Sequence, residues 1–211
     1  PSAGNPGIGG TEYQFVSLTF MLQKIRNHEI VLLANDVNKL PKDIKTLRIE
    51  NIVEAVNYVS CQENSLLIFR PLFSYIYREA FDTINKLKVR TLTWSHNMLS
   101  YDELDLIYQN DYILRHVCVS KQQYDRLRDH KLFYKSDYVF NGIHNPINEI
   151  KFSRLEEQTV TYVGSLTFSK GFHILAKVWK DILKEFPEAK LNVIGSGRLY
   201  NRNSKLGHFK I

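Results

Sequence analysis

Residues Thr159 to Gly197 read TVTYVGSLTFSKGFHILAKVWKDILKEFPEAKLNVIGSG. The run Thr159 to Val163 is rich in β-branched and aromatic residues, and Gly164 stops it at once, which is a strand signal. From Phe172 to Phe186 the apolar residues Ile174, Leu175, Val178, Ile182 and Leu183 recur on one helical stripe. Lys190 to Ile194 returns to strand chemistry, and Gly195-Ser196-Gly197 closes the stretch. A strand, a helix and a strand joined by short loops imply a βαβ unit with parallel pairing.

The same alternation continues upstream. Strands are expected at Glu29 to Ala34, Leu47 to Glu50, Ser65 to Phe69, Val89 to Trp94, Ile113 to Ser120 and Ser136 to Phe140. Helices are expected at Thr11 to Asn27, Ile52 to Ser60, Tyr75 to Leu87, Asp102 to Gln109 and Gln122 to Asp129. Asn141 to Arg154 carries turn residues and no periodicity, so it reads as a linker. The organisation expected is an α/β chain with two Rossmann-like, doubly wound parallel-sheet domains, residues 1–150 and 151–211. The second series holds only β-α-β, too little to cover a parallel sheet on both faces, so that domain is expected to be incomplete. The first has a glycine-rich loop with no strand before it, so its opening strand is expected to be missing.

Composition narrows the classes. Of the 211 residues 44% are hydrophobic and 24% charged, the balance of a chain with a real core. Lys plus Arg is 28 against 22 Asp plus Glu, a net charge of +6 that suits anionic partners such as sugar phosphates, lipid headgroups or nucleic acid. Cys61 and Cys118 have no CxxC spacing, which argues against a zinc site or disulfide scaffold and fits a reducing compartment. No apolar run reaches the roughly 18 residues of a membrane span.

Several places could carry chemistry. Gly7-Ile8-Gly9-Gly10-Thr11-Glu12 precedes a helix, and glycines there admit a phosphate or sugar hydroxyl to the helix amino terminus; a simple turn is the alternative. Trp94-Ser95-His96-Asn97 stands at the carboxyl end of a strand, where open parallel sheets bind ligands, and a histidine there can donate to a sugar hydroxyl or departing phosphate. Gly164 to Gly171, with Ser165 and Lys170, offers backbone donors and a cation before a helix, or else is an ordinary loop. Asn141-Gly142 is a turn leading to the linker, with a hinge role. His116 lies mid-strand and reads as core or edge, whereas His28 and His130 read as helix-end residues paired with the carboxyl-terminal dipole. Arg70 to Arg90 interleaves basic and aromatic residues; a helix packing its aromatic face on the sheet explains it, and a membrane-surface segment is the alternative. Glu103 and Asp105 imitate a metal motif, but two residues apart on a helix they face different ways, so no metal site is assigned.

The order of these stretches resembles the GT-B glycosyltransferases, in particular the retaining family 4 group. GIGGTE comes first, then WSHN, VCVS, NGIHNP and YVGSLTFSKGFHIL…FPEAKLNVIGSG. The resemblance implies a two-domain enzyme that moves a hexose from a nucleotide diphosphate sugar, UDP- or GDP-linked, to a glycan or lipid-linked glycan acceptor. It implies no metal and no further cofactor. Gly9 and Gly10 would approach the donor phosphates or sugar, His96 would contact the transferring sugar, and Ser165 and Lys170 would hold the diphosphate. Glu12 and Asn97 would lie on the acceptor side, with Asn141 and Gly142 as the hinge. The family usually has Arg where Ser165 stands, and its pair of glutamates does not occur within these 211 residues, so this chain alone is expected to be inactive. A non-catalytic nucleotide-sugar-binding module of the same fold is the alternative. A nucleic-acid binder has only the charge in its favour. The expected location is cytoplasmic, with peripheral membrane contact if the acceptor is lipid-linked, in polysaccharide biosynthesis.

Overall fold

A computed structural model describes residues 9–25, 28–38, 40–142 and 158–195. These residues fall into two compact units, one drawn from Gly10–His144 and the other from Pro1–Gly9 and Asn145–Ile211. Every strand pair is parallel, giving a mixed α/β architecture of Rossmann-like character.

The first unit runs α1 (Gly10–Leu22), β1 (Leu32–Ala34), β2 (Thr46–Arg48), α2 (Ile52–Ser60), β3 (Leu67–Phe69) and α3 (Tyr75–Leu87). It continues through β4 (Thr91–Ser95), α4 (Tyr101–Tyr108), β5 (Ile113–Cys118), α5 (Lys121–Asp125) and β6 (Ser136–Tyr138), with a 3-10 turn at Lys131–Lys135. β1 pairs with β2, and β3-β4-β5-β6 form a four-stranded sheet in chain order. α2 forms where it does because Asn51 caps it, its side chain accepting from the Glu54 amide at 3.1 Å. α3 stops at Lys88, whose left-handed backbone (φ 58°) turns the chain into β4.

The core lies between α2, α3, α4 and the sheet. Val56, Phe69, Phe81, Ile84, Ile107 and Ile113 are buried together, each contributing about 1.5–3 kcal/mol of burial. α3 sends Phe81 inward, stacked on Phe73 at 6.1 Å, while Tyr75 faces solvent. β4 is sealed along nearly its whole length, and its buried hydroxyls are satisfied: Thr91 donates to the Val89 carbonyl at 2.8 Å, and Thr93 bonds His116 at 2.9 Å. His116 is thus a core residue, and Cys118 is a buried free thiol whose pKa burial pushes up to about 12.

Two readings need correction here. α1 ends at Leu22 rather than Asn27, because the residues after it turn outward and Ile25 finds no apolar face to cover. His130 does not serve a carboxyl-terminal dipole. It caps the start of the 3-10 turn by accepting from the Leu132 amide, and its other ring nitrogen meets Asp105 at 3.1 Å.

In the second unit β7 (Thr159–Val163) pairs with β8 (Lys190–Ile194), and α6 (Phe172–Glu185) follows a 3-10 turn at Phe168–Lys170. The apolar stripe expected on α6 is present, with Ile174, Val178 and Leu183 exposed and Leu175 and Ile182 half-buried. Gly195 approaches Gly164 so closely that a β-carbon at 195 would stand 1.8 Å from the Gly164 carbonyl oxygen. Among the described residues no helix is long and apolar enough to cross a membrane.

The linker expected at Asn141 to Arg154 lies outside the described residues except for Asn141 and Gly142, as do Gly7, Ile8, Ser196 and Gly197.

Candidate functional site

In the first unit the carboxyl ends of β3 and β4 lie side by side, since Phe69 registers with Thr93. The residues that leave those strands, Arg70 and Ser95-His96-Asn97, face a recess of about 140 Å³. Phe73, Leu99 and Glu103 complete its wall.

His96 dominates this recess. Its ring packs on Trp94 at 4.6 Å, and Phe15 of α1 lies over both, 5.0 Å from Trp94 and 6.2 Å from His96. Nδ1 and Nε2 of His96 and Nε1 of Trp94 are all buried and have no hydrogen-bond partner among the described residues. Each such orphan costs about 1–3 kcal/mol. Burial pushes the His96 ring below its ordinary pKa, and the Arg70 charge adds to this. The Trp94 carbonyl, Asn141 and Glu12 pull the other way from nearby, though no hydrogen bond of good geometry closes on the ring. The neutral imidazole therefore prevails at pH 7, with one N–H to donate and one nitrogen to accept.

The loop carrying His96 is fixed by its neighbours. The Asn97 carbonyl accepts from the Ser95 hydroxyl at 2.9 Å and from Gln123 Nε2 at 2.7 Å. Gln123, buried on α5, accepts from the Val119 amide with its other end at 3.0 Å, so one side chain ties the loop after β4 to the loop after β5. α1 is pinned over the same place. Glu12 reaches Arg70 at 3.5 Å, and Gln14 donates to the Gly142 carbonyl at 3.0 Å.

The structure thus brings Glu12, His96, Asn97, Asn141 and Gly142 to one end of the first sheet. Gly9 and Gly10 lead into α1, and a β-carbon at Gly10 would meet nothing within 4 Å. Phe15 and Gln123 belong to the site but were not singled out from the sequence, whereas Trp94 was quoted with His96 and Asn97, and Arg70 was noted only as the start of the Arg70 to Arg90 segment. Arg70 had a usable signal, since it leaves β3 as His96 leaves β4.

Ser165 and Lys170 lie in the second unit, on the loop between β7 and α6. Ser165 and Thr167 hydroxyls are 3.4 Å apart, and Thr167 and Ser169 hydroxyls 3.2 Å. Tyr162 donates to the carbonyls of Ser165 at 3.2 Å and Lys170 at 3.3 Å. Lys170 is exposed, and Gly171 takes the left-handed conformation (φ 74°) that starts α6 directly after it. Glu103 and Asp105 are spent on structure: Glu103 closes a capping box with Ser100, and Asp105 meets His130.

One curated relative shares a stretch of this sequence. A protein of Haemophilus influenzae described as an uncharacterized glycosyltransferase is 43% identical over 47 residues. The match covers 22% of this chain and 13% of that protein, so the chain spans a small part of its relative's length. No family model and no solved structure matches the chain.

Proposed function

We propose that this chain is part of a glycosyltransferase of the GT-B, retaining family 4 type, moving a hexose from a UDP- or GDP-sugar to a glycan or lipid-linked glycan. One observation carries the reading: His96 presents two buried ring nitrogens, without a partner among the described residues, at the carboxyl end of a central parallel strand, the place where such sheets hold ligands. The likeness to the Haemophilus influenzae protein supports the same class.

In the transfer the bond from the sugar's anomeric carbon to the donor phosphate breaks, and a bond from that carbon to an acceptor hydroxyl oxygen forms on the same face. The proton of that hydroxyl leaves with the phosphate oxygen. Neutral His96 donates its N–H to the transferring sugar, and Lys170 meets the charge that grows on the leaving diphosphate. Gly9 and Gly10 admit the donor, Glu12 and Asn97 face the acceptor, and Asn141 and Gly142 form the hinge. The reaction runs at the inner face of a membrane when the acceptor is lipid-linked.

The test is His96→Ala in the full-length protein, with transfer and donor binding measured separately. A hundredfold or larger loss of transfer with donor affinity held within a few-fold is expected; equal losses in both would remove the chemical role of His96. A second reading is a binding module without turnover. Ser165 favours it, because its hydroxyl meets Thr167 and supplies no cation beside Lys170. Donor binding without transfer to any acceptor would select it.

A further inference from the structure

The recess beside His96 holds a cation that the proposed transfer, as described above, leaves unused. Arg70 is largely enclosed, with its side chain 28% exposed, and among the described residues its ion pair is the Glu12 contact at 3.5 Å. Strong guanidinium–carboxylate bonds close to about 2.7–2.9 Å and use two donors. Arg70 has five N–H donors, and among the described residues only Nη1 is bonded, to Glu12. Glu12 is a weak competitor, because its own side chain is 60% exposed. The other carboxylate in the wall, Glu103, accepts from the Ser100 amide at 2.6 Å and is committed to capping α4. Next to Arg70 stand the neutral His96 ring, the Asn97 amide and the Ser95 backbone, with Phe73 and Leu99 as an apolar floor. The volume of about 140 Å³ matches the share of about four or five water molecules, room for one tetrahedral anion and the first atoms attached to it.

We infer that Arg70 is a ligand-contacting residue that receives a phosphate-type anion in this recess, beside His96. The planar fork of the guanidinium fits two oxygens of a phosphate, and Phe73 and Leu99 meet the carbon atoms that follow. Two sources share this chemistry: the diphosphate of the donor and a phosphate carried by the acceptor. The inference rests on the reading of His96 as part of a transfer site, but its readout needs no turnover, so absent transfer and absent anion binding are separate results.

The experiment follows the His96 imidazole of the intact chain by NMR during titration with inorganic phosphate, pyrophosphate and a sugar monophosphate, with a neutral methyl glycoside as control. An anion seated between Arg70 and His96 raises the His96 pKa, while buried His116 stays unchanged. Arg70→Gln abolishes the shift, and Arg70→Lys, a point charge without the fork, restores part of it. Glu12→Gln frees Arg70 and lowers the half-saturating phosphate concentration on the order of two- to fivefold. A stronger response to pyrophosphate assigns the anion to the donor; a stronger response to the monophosphate assigns it to the acceptor. No response to any anion, or a response that persists in Arg70→Gln, overturns the inference. Glu12→Gln guards against an unfolded Arg70 variant, since weaker phosphate binding there overturns it too.

Discussion

Thr93 Oγ1 and His116 Nδ1 meet at 2.9 Å across the β4–β5 pair, sealed from solvent. Burial holds the His116 pKa down to about 4, so the folded protein keeps this ring neutral while the unfolded chain protonates it near 6.5. The unfolded state therefore binds more protons between those values, and stability falls as pH drops from about 6.5 to 4. The loss approaches about 3 kcal/mol. Urea unfolding at pH 7.5, 5.5 and 4.5 should show this slope, and His116→Gln should flatten it.

Phe15 is the lid of the Trp94–His96 pair. Phe15→Ala should cost about 2 kcal/mol, less than a fully buried phenylalanine because the ring is half-buried. Since burial is the main force depressing His96, its pKa should rise toward 6.5 in this variant. A His96 titration by NMR that stays where it was would show that Phe15 does not shield the ring.

Gln123 spans two loops with its two ends. Gln123→Leu leaves the Val119 amide and one lone pair of the Asn97 carbonyl unpaired, at a cost of about 1–3 kcal/mol. Gln123→Glu keeps the acceptor for Val119 and loses only the donor to Asn97, so its cost should be smaller. Thermal unfolding of both variants checks the order, and amide exchange at Asn97 and Met98 should quicken in both.

Gly195→Ala sets a β-carbon 1.8 Å from the Gly164 carbonyl oxygen, at a backbone angle (φ 153°) that L-residues avoid. The second unit should lose its β7–β8 pairing, seen as loss of amide protection in both strands. Gly10→Ala meets open space within a helix and should be neutral or stabilising by up to about 1 kcal/mol.

What the sequence revealed tracks what is local in it. α2 and α3 begin and end where their apolar periods and turn residues say, and so do β7 and β8. β1 starts at Leu32 and not at Glu29, because β2 offers backbone partners to three residues, Leu32 to Ala34. His96 was legible because its position after a strand is a local fact. Arg70 shared that local signal at the end of β3, whereas Phe15 and Gln123 had none, because the path of α1 and the packing of α5 bring them there from distant parts of the chain. The stripe on α6 was legible as a stripe, but its exposure was not, since periodicity reports which residues share a face and not what covers it.

The chain-order sheet β3-β4-β5-β6 has a kinetic consequence. Each strand pairs with the one made just before it, one crossover away, so every step closes a short loop and none waits for a distant segment. The first unit can therefore assemble strand by strand as it leaves the ribosome, with α3 seating Phe81 on Phe69 before β5 exists. The seating of α1 over Trp94 and His96 spans the longest stretch of chain in the site's aromatic cluster, so it carries the largest loop-closure cost of that cluster.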